Sequence, residues 1–160
     1  MELIVTALLS LAADLGSKAL AAWGLADRPM RLGWLVELEL TRNTGMAFGM
    51  MAGNIAANIL LPLAVMIAGY GLMRRYQSTA FTRVACGLIL GGFTGNFAQR
   101  VFQGYVLDMI YFPWLPFFVC NVADICICFG VALLAFSLLF RPQDWEEKGD
   151  TNDAENGNNR

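Results

Sequence analysis

Four apolar stretches, each close to the length a helix needs to cross a bilayer, constrain this chain more than any other feature. They run from about Leu3 to Trp23, Ile55 to Met73, Ala80 to Phe97 and Leu115 to Phe140. A spanning helix needs roughly 20 predominantly apolar residues to match the hydrocarbon core. The third stretch is the shortest and the richest in glycine. The 160 residues suffice for one domain; 57% are hydrophobic, 15% are charged, and the mean hydropathy is +0.52. That is the composition of an integral membrane protein. The first stretch does not read as a cleavable signal peptide, since it opens on Glu2 and carries Asp14 and Lys18 within the apolar run.

The net charge of −2 is local in origin: six of the 13 acidic residues lie between Asp144 and Glu155. Up to Phe140 there are eight basic and seven acidic residues, which makes no nucleic-acid surface. The end of the chain, residues 143–160, is polar and rich in Asn, Asp, Glu and Gly, and is expected to be a disordered tail behind a membrane domain of residues 1–142. The four cysteines (Cys86, Cys120, Cys126, Cys128) fall inside the predicted spans without a C-x-x-C pair, and read as small apolar filler.

Four spans put both termini on one side. Arg74, Arg75 and Arg83, with no acid among them, mark the connection between spans two and three as cytoplasmic, and Arg141 and Lys148 flank the last span on the same side. The opposite loops also carry Arg28, Arg31, Arg42 and Arg100, so the bias lies in density more than in count. This places residues 24–54 and 98–114 outside. There V-E-L-E-L-T, from Val36 to Thr41, alternates apolar and polar as a half-buried strand does. A small extracytoplasmic sheet on the outer leaflet follows, with Trp34, Tyr105, Tyr111, Phe112 and Trp114 suited to the interfacial belt. No internal repeat is visible, which argues against an inverted-repeat transporter.

Each ionisable residue inside a span needs a reason, because it costs about 2.5–3.5 kcal/mol on insertion scales. Asp14 and Lys18 stand four apart on one helix face, acid first; an intramembrane salt bridge that pins the helix explains them, with Ser17 incidental. Arg42-Asn43-Thr44-Gly45-Met46-Ala47-Phe48-Gly49 leads back into the membrane, its Asn and Gly favouring a turn. Asn96 and Arg100, four apart at the end of span three, either snorkel or orient a nearby charge. Asp108 sits among aliphatics in what reads as a loop. Asp124 lies within span four, with Asn121 one turn earlier, and requires a proton, a partner or water.

Two carboxylates in a poorly solvated pocket cannot both ionise easily, which separates a general acid from a general base. That suits hydrolysis by activated water. The chain has no histidine, so an H-E-x-x-H zinc site and a Ser-His dyad are excluded. Ser17 and Lys18 are adjacent and do not face each other on a helix. No G-x-G-D stretch is present. An aspartyl pair remains.

The order D-x-x-S-K, N-T-G-x-A-F, G-N-x-x-x-R, V-x-D-x-I and N-x-A-D, spread over residues 14–125, resembles the lipoprotein signal peptidase (signal peptidase II) family. The resemblance implies an aspartic endopeptidase of the bacterial inner membrane that removes signal peptides from diacylglyceryl-modified prolipoproteins. It implies an all-α membrane protein: four transmembrane helices with a small extracytoplasmic β-cradle, both termini cytoplasmic, and an active site towards the outer leaflet. By motif position, Asp108 and Asp124 match the catalytic dyad, and Asp14, Lys18, Asn43, Gly45, Asn96, Arg100, Asn121 and Ala123 match its surround. The implied partners are lipidated prolipoproteins and membrane lipids, without nucleic acid or an obligatory oligomer. Neither a cofactor nor a metal is called for.

Two positions depart from the family pattern. Gln99 stands where an aspartate usually precedes the arginine, and Cys120 where a phenylalanine usually precedes the asparagine. Gln99 offers no charge to Arg100, which motivates an alternative reading as an impaired paralogue that binds precursors. A small transporter using Asp14, Lys18 and Asp124 as an ion path is the other alternative; it fits poorly, since spans two and three carry no acid.

Overall fold

The central helix owes its bounds to local chemistry at both ends. The structure, a computed structural model, describes residues 1–25, 28–45, 54–76, 78–115 and 118–147. Helix α1 spans Glu2–Gly24, α2 Ile55–Met73, α3 Ala80–Gln103 and α4 Val122–Phe140. Helix α3 begins at a capping box: Thr82 N donates to Thr79 Oγ1 at 3.3 Å and Thr79 N donates to Thr82 Oγ1 at 3.1 Å. It ends at Gly104, whose φ of 78° is left-handed and suits a residue without Cβ. Its 24 residues cover about 36 Å at 1.5 Å per residue.

Helix α3 packs along α1 on one side and α4 on the other, while α2 touches the bundle chiefly along α3. Glycine makes the approach to α1 possible: a Cβ at Gly95 would collide with the Asp14 carboxylate. Gly95→Ala is therefore expected to cost about 1–3 kcal/mol, the usual range for overpacking, read as a lowered unfolding midpoint in detergent. An unchanged midpoint would mean that the two helices do not meet there.

Helices α1, α2 and α4 are long and apolar enough to cross a membrane, with mean hydropathies of 1.6, 1.8 and 2.4. Burial is inverted relative to a soluble protein. Leu8, Leu20, Leu61, Val65, Phe129 and Phe140 are exposed, whereas Ser10, Asp14, Lys18, Asn96, Asn121 and Ser137 are buried. An apolar exterior around a polar centre is what a lipid environment selects.

The fourth helix corrects an expectation: it starts at Val122, not at Leu115. Asn121 has an extended backbone (φ −131°, ψ 180°) and caps the helix; its Oδ1 accepts from Asp124 N at 3.0 Å, and its N donates to Asp124 Oδ2 at 3.1 Å. Upstream, Val119–Cys120 is a strand, so Cys120 lies outside the span.

The sheet is antiparallel throughout, in the order β1 (Met30–Leu32), β2 (Val36–Asn43), β3 (Val106–Tyr111), β4 (Val119–Cys120). The strand expected from Val36 to Thr41 is β2. Strand β3 corrects the reading of Asp108 as a loop residue. Val106 to Met109 are all buried, and a strand covered on both faces shows no alternation that would reveal it. Thr41 pairs with Asp108 and Asn43 with Val106, which brings the N-T-G turn to the aspartate. Met109 packs with Ala21 and Leu25 of the α1 end, and Leu38, Leu40 and Ile110 close over them. Trp34 and Trp114 remain exposed beside this sheet, and Trp114 Nε1 donates to Leu35 O at 3.1 Å.

Residues 143–147 also depart from expectation: they are ordered. A 3-10 helix, Pro142–Trp145, folds back so that Asp144 is buried, accepting from Ser137 Oγ at 2.6 Å and Arg141 Nε at 2.7 Å. The Arg141 guanidinium, with help from the Ser137 hydroxyl, holds the Asp144 carboxyl down at about 2. Trp145 meets Tyr76 edge-on, with ring centroids 5.3 Å apart. These partners lie on α4 and between α2 and α3, where tail composition gives no sign of them. Residues 148–160, and the Met46–Gly49 part of the turn motif, lie outside the described residues.

Candidate functional site

Five buried polar residues, Asp14, Lys18, Asn96, Asp108 and Asn121, belong to one connected network at the end of the bundle beneath the sheet. It starts on α1, where Lys18 Nζ donates to Asp14 Oδ2 at 2.8 Å. Both side chains are buried, and both have second partners. Asp14 Oδ1 accepts from Ala123 N at 3.0 Å, satisfying an otherwise unpaired N–H in the first turn of α4. A carboxylate is favoured there by the positive end of the helix dipole. Lys18 Nζ also donates to Asn96 Oδ1 at 2.8 Å. The expected salt bridge is present, and it does more than pin a helix: it turns the Asn96 amide so that Nδ2 donates to Asp124 Oδ1 at 2.8 Å.

Asn121 links this chain of contacts to the second aspartate. Its Nδ2 donates to Asp108 Oδ1 at 2.6 Å and to Asn96 Oδ1 at 3.1 Å, while its backbone N serves Asp124 Oδ2. One residue therefore contacts both carboxylates. From the sheet side, Asn43 Nδ2 donates to Asp108 Oδ2 at 2.8 Å. Asn43 can aim its amide so because its Oδ1 is occupied by Gly45 N at 2.9 Å, an Asx turn. Arg100 Nη2 donates to Gly45 O at 3.2 Å and fixes that turn from α3.

Asp108 is held by neutral donors, and among the described residues no Lys or Arg forms an ion pair with Asp108 or Asp124. Burial dominates its titration and raises the carboxyl to about 6; the Asn43 and Asn121 amides pull it down, and the neighbouring Asp124 pushes it up. The two carboxylates open on a cavity of about 170 Å³ lined also by Val106, Phe118, Ile127 and Cys128. A second cavity of about 190 Å³ shares Asn96, Arg100, Asp124 and Ile127 with it and extends to Pro62, Phe93 and Phe97.

All ten residues singled out from the sequence belong to this network: Asp14, Lys18, Asn43, Gly45, Asn96, Arg100, Asp108, Asn121, Ala123 and Asp124. Gln99 is the residue whose reading changes. It does not leave Arg100 idle, since Arg100 is engaged by Gly45 O, and its own Oε1 accepts from Leu107 N at 3.1 Å. No spacing rule connects Gln99 with Leu107, because a helix end, a left-handed glycine and a strand start lie between them.

These observations define a class: a helical membrane protein whose polar centre pairs two aspartates beneath a small antiparallel sheet. Residues 6–140 match the family described as signal peptidase (SPase) II, Peptidase_A8. The chain belongs to that family and is a peptidase. It is 35% identical over 156 residues to the lipoprotein signal peptidase of Rhodococcus jostii, covering 92% of this chain and 77% of that one. The lipoprotein signal peptidase of Symbiobacterium thermophilum is 38% identical over 106 residues, covering 64% of this chain and 69% of the relative. A solved structure described as a bacterial membrane enzyme, obtained by the in meso method at 2.3 Å resolution, superposes with a TM-score of 0.75 at 27% identity, covering 91% of this chain and 92% of the other.

Proposed function

We propose that Asp108 and Asp124 are the acid–base pair with which this peptidase removes signal peptides from prolipoproteins. The observation that carries the reading is Asn121, whose amide and backbone N–H hold one oxygen of each carboxylate. With a single proton between them, the ionised carboxylate takes a proton from water as its oxygen attacks the scissile carbonyl carbon. In the same step the protonated one gives its proton to the carbonyl oxygen; the proton taken from water then passes to the departing amine as the C–N bond breaks, and a hydroxyl of the intermediate returns its proton to the pair. Asn43, Asn96 and Asn121 keep both groups oriented, and among the described residues no Lys or Arg forms an ion pair with either that would lock it as a carboxylate.

The second cavity, walled by Pro62, Phe93, Phe97 and Ile127 and joined to the first at Asp124, suits an apolar peptide and the lipid on a diacylglyceryl-modified cysteine. Helix α3 is the fourth span. Its glycines face α1 and α4, and Asn96 faces the site, instead of lipid, which accounts for part of its lower apolar content. The arginines Arg74, Arg75 and Arg83 lie at the opposite end from Asn96 and Arg100, which supports cytoplasmic termini and a site at the outer leaflet.

A pH profile tests the shared proton. The singly protonated pair loses its proton as pH rises past the raised value of Asp108, so kcat is expected to fall on an alkaline limb starting near pH 6. Asn43→Ala removes a donor that favours the ionised carboxylate, so the limb should move to higher pH. A limb that stays in place, or moves down, would contradict the assignment.

A further inference from the structure

Asp108 is held at its oxygens by two amides, but its position along the sheet depends on the backbone beside it. Strand β3 is paired with β2 along this stretch, with Arg42 opposite Leu107 and Thr41 opposite Asp108. On its other edge β4 reaches back only to Ile110, which pairs with Cys120. The Leu107 N–H, one residue before the aspartate, has no β4 acceptor, and Leu107 is buried. An unpaired N–H there would cost desolvation and free the strand to shift. Gln99 supplies the missing acceptor: its Oε1 takes the Leu107 N–H at 3.1 Å from the last turns of α3. Its Nε2 is directed to Gln103 Oε1 at 3.4 Å, which keeps the amide oxygen facing the strand.

We propose that Gln99 is a positioning residue for Asp108, acting through the Leu107 peptide, so that α3 sets the depth at which the carboxylate meets Asn121 and Asp124. The inference rests on the reading of Asp108 as one of the pair. Side-chain length matters, because the amide oxygen must span from helix to strand. Glutamate keeps that length and the acceptor; leucine keeps the bulk and loses the acceptor. The groups facing Asp108 are Asn43 from the turn, Asn121 and Asp124 from α4, and the charges of Lys18 from α1 and Arg100 from α3.

The test measures kcat and KM against pH for the full chain in lipid, using a lipidated prolipoprotein, with Gln99→Leu, Gln99→Glu and Asp108→Asn in parallel and unfolding midpoints for each. Gln99→Leu is expected to lower kcat about 10-fold to 100-fold, the effect of displacing a reacting group by a fraction of an ångström to an ångström, with KM changed less than about 3-fold. Gln99→Glu is expected to return kcat to within about 3-fold of wild type and, by adding a negative charge, to move the limb assigned to Asp108 to higher pH. Wild-type kcat in Gln99→Leu beside an inactive Asp108→Asn would overturn this proposal alone. A loss in Gln99→Leu that glutamate does not rescue, or that matches only the fraction unfolded, would also overturn it. An Asp108→Asn variant that cuts like wild type would overturn the pair and this proposal together.

Discussion

Replacing either Asp108 or Asp124 by asparagine is expected to lower kcat by about 1,000-fold while the protein still folds. Each substitution removes one proton carrier, and a positioned acid or base contributes about 100-fold to 10,000-fold. The fold should survive because the amide is isosteric and retains one acceptor. In Asp108→Asn the new amide oxygen can take a hydrogen bond from Asn43 or Asn121 but not from both. In Asp124→Asn it can accept from Asn96 or from the Asn121 backbone but not from both. Each variant therefore loses roughly one hydrogen bond, about 1 kcal/mol, far less than the loss of rate. Hydrolysis of a lipidated prolipoprotein by purified protein, with the unfolding midpoint measured alongside, separates the two effects. A variant that cuts at the wild-type rate would remove that aspartate from the chemistry.

The largest effect on stability is expected from Lys18→Met. Asp14 is fully buried and Lys18 nearly so, and the 2.8 Å contact between them leaves no solvent to compensate. Removing one partner of a buried pair costs about 3–5 kcal/mol, because the remaining charge is left uncompensated. The variant should also lose activity. Without Nζ on its oxygen, the Asn96 amide is fixed only by Asn121 and can present oxygen instead of Nδ2 to Asp124. The double variant Asp14→Asn/Lys18→Met removes both charges, and the amide oxygen that replaces the Asp14 carboxylate can still accept from Ala123 N. It should recover most of the stability but little of the activity, since Asn96 is still without Nζ. Equal stability of Lys18→Met and wild type would show that the pair does not carry this role.

Much of this can be read from residues alone, for reasons that differ along the chain. The apolar runs mark the helices because lipid must be met by side chains all along a span. The alternation from Val36 marks β2 by residue type alone, since both faces of the strand are mostly half-buried and only Glu39 and Arg42 are exposed. Asp14 and Lys18 are legible as partners because helical spacing fixes that contact. Their reach to Asn96, which is 78 residues from Lys18, depends on how α1 and α3 pack, and no local pattern encodes it. Strand β3 is hidden because a strand buried on both faces looks like any short apolar run. The start of α4 is masked by apolar residues that precede it, although N-x-x-D at Asn121 is a capping signal in its own right. The role of Gln99 is hidden as the reach to Asn96 is: its partner is a backbone N–H, which carries no signature of residue type.

The central claim is that Asp108 and Asp124 act as one unit on one water. Comparing kcat of Asp108→Asn, Asp124→Asn and the double variant on the same lipidated substrate tests it most directly. Groups that share a single step are not additive, so the double variant should be no slower than the slower single one, within about 3-fold. Losses that multiply, about 1,000-fold from each aspartate to a combined factor near one million, would mean that the two act in separate steps and would contradict the shared-proton pair.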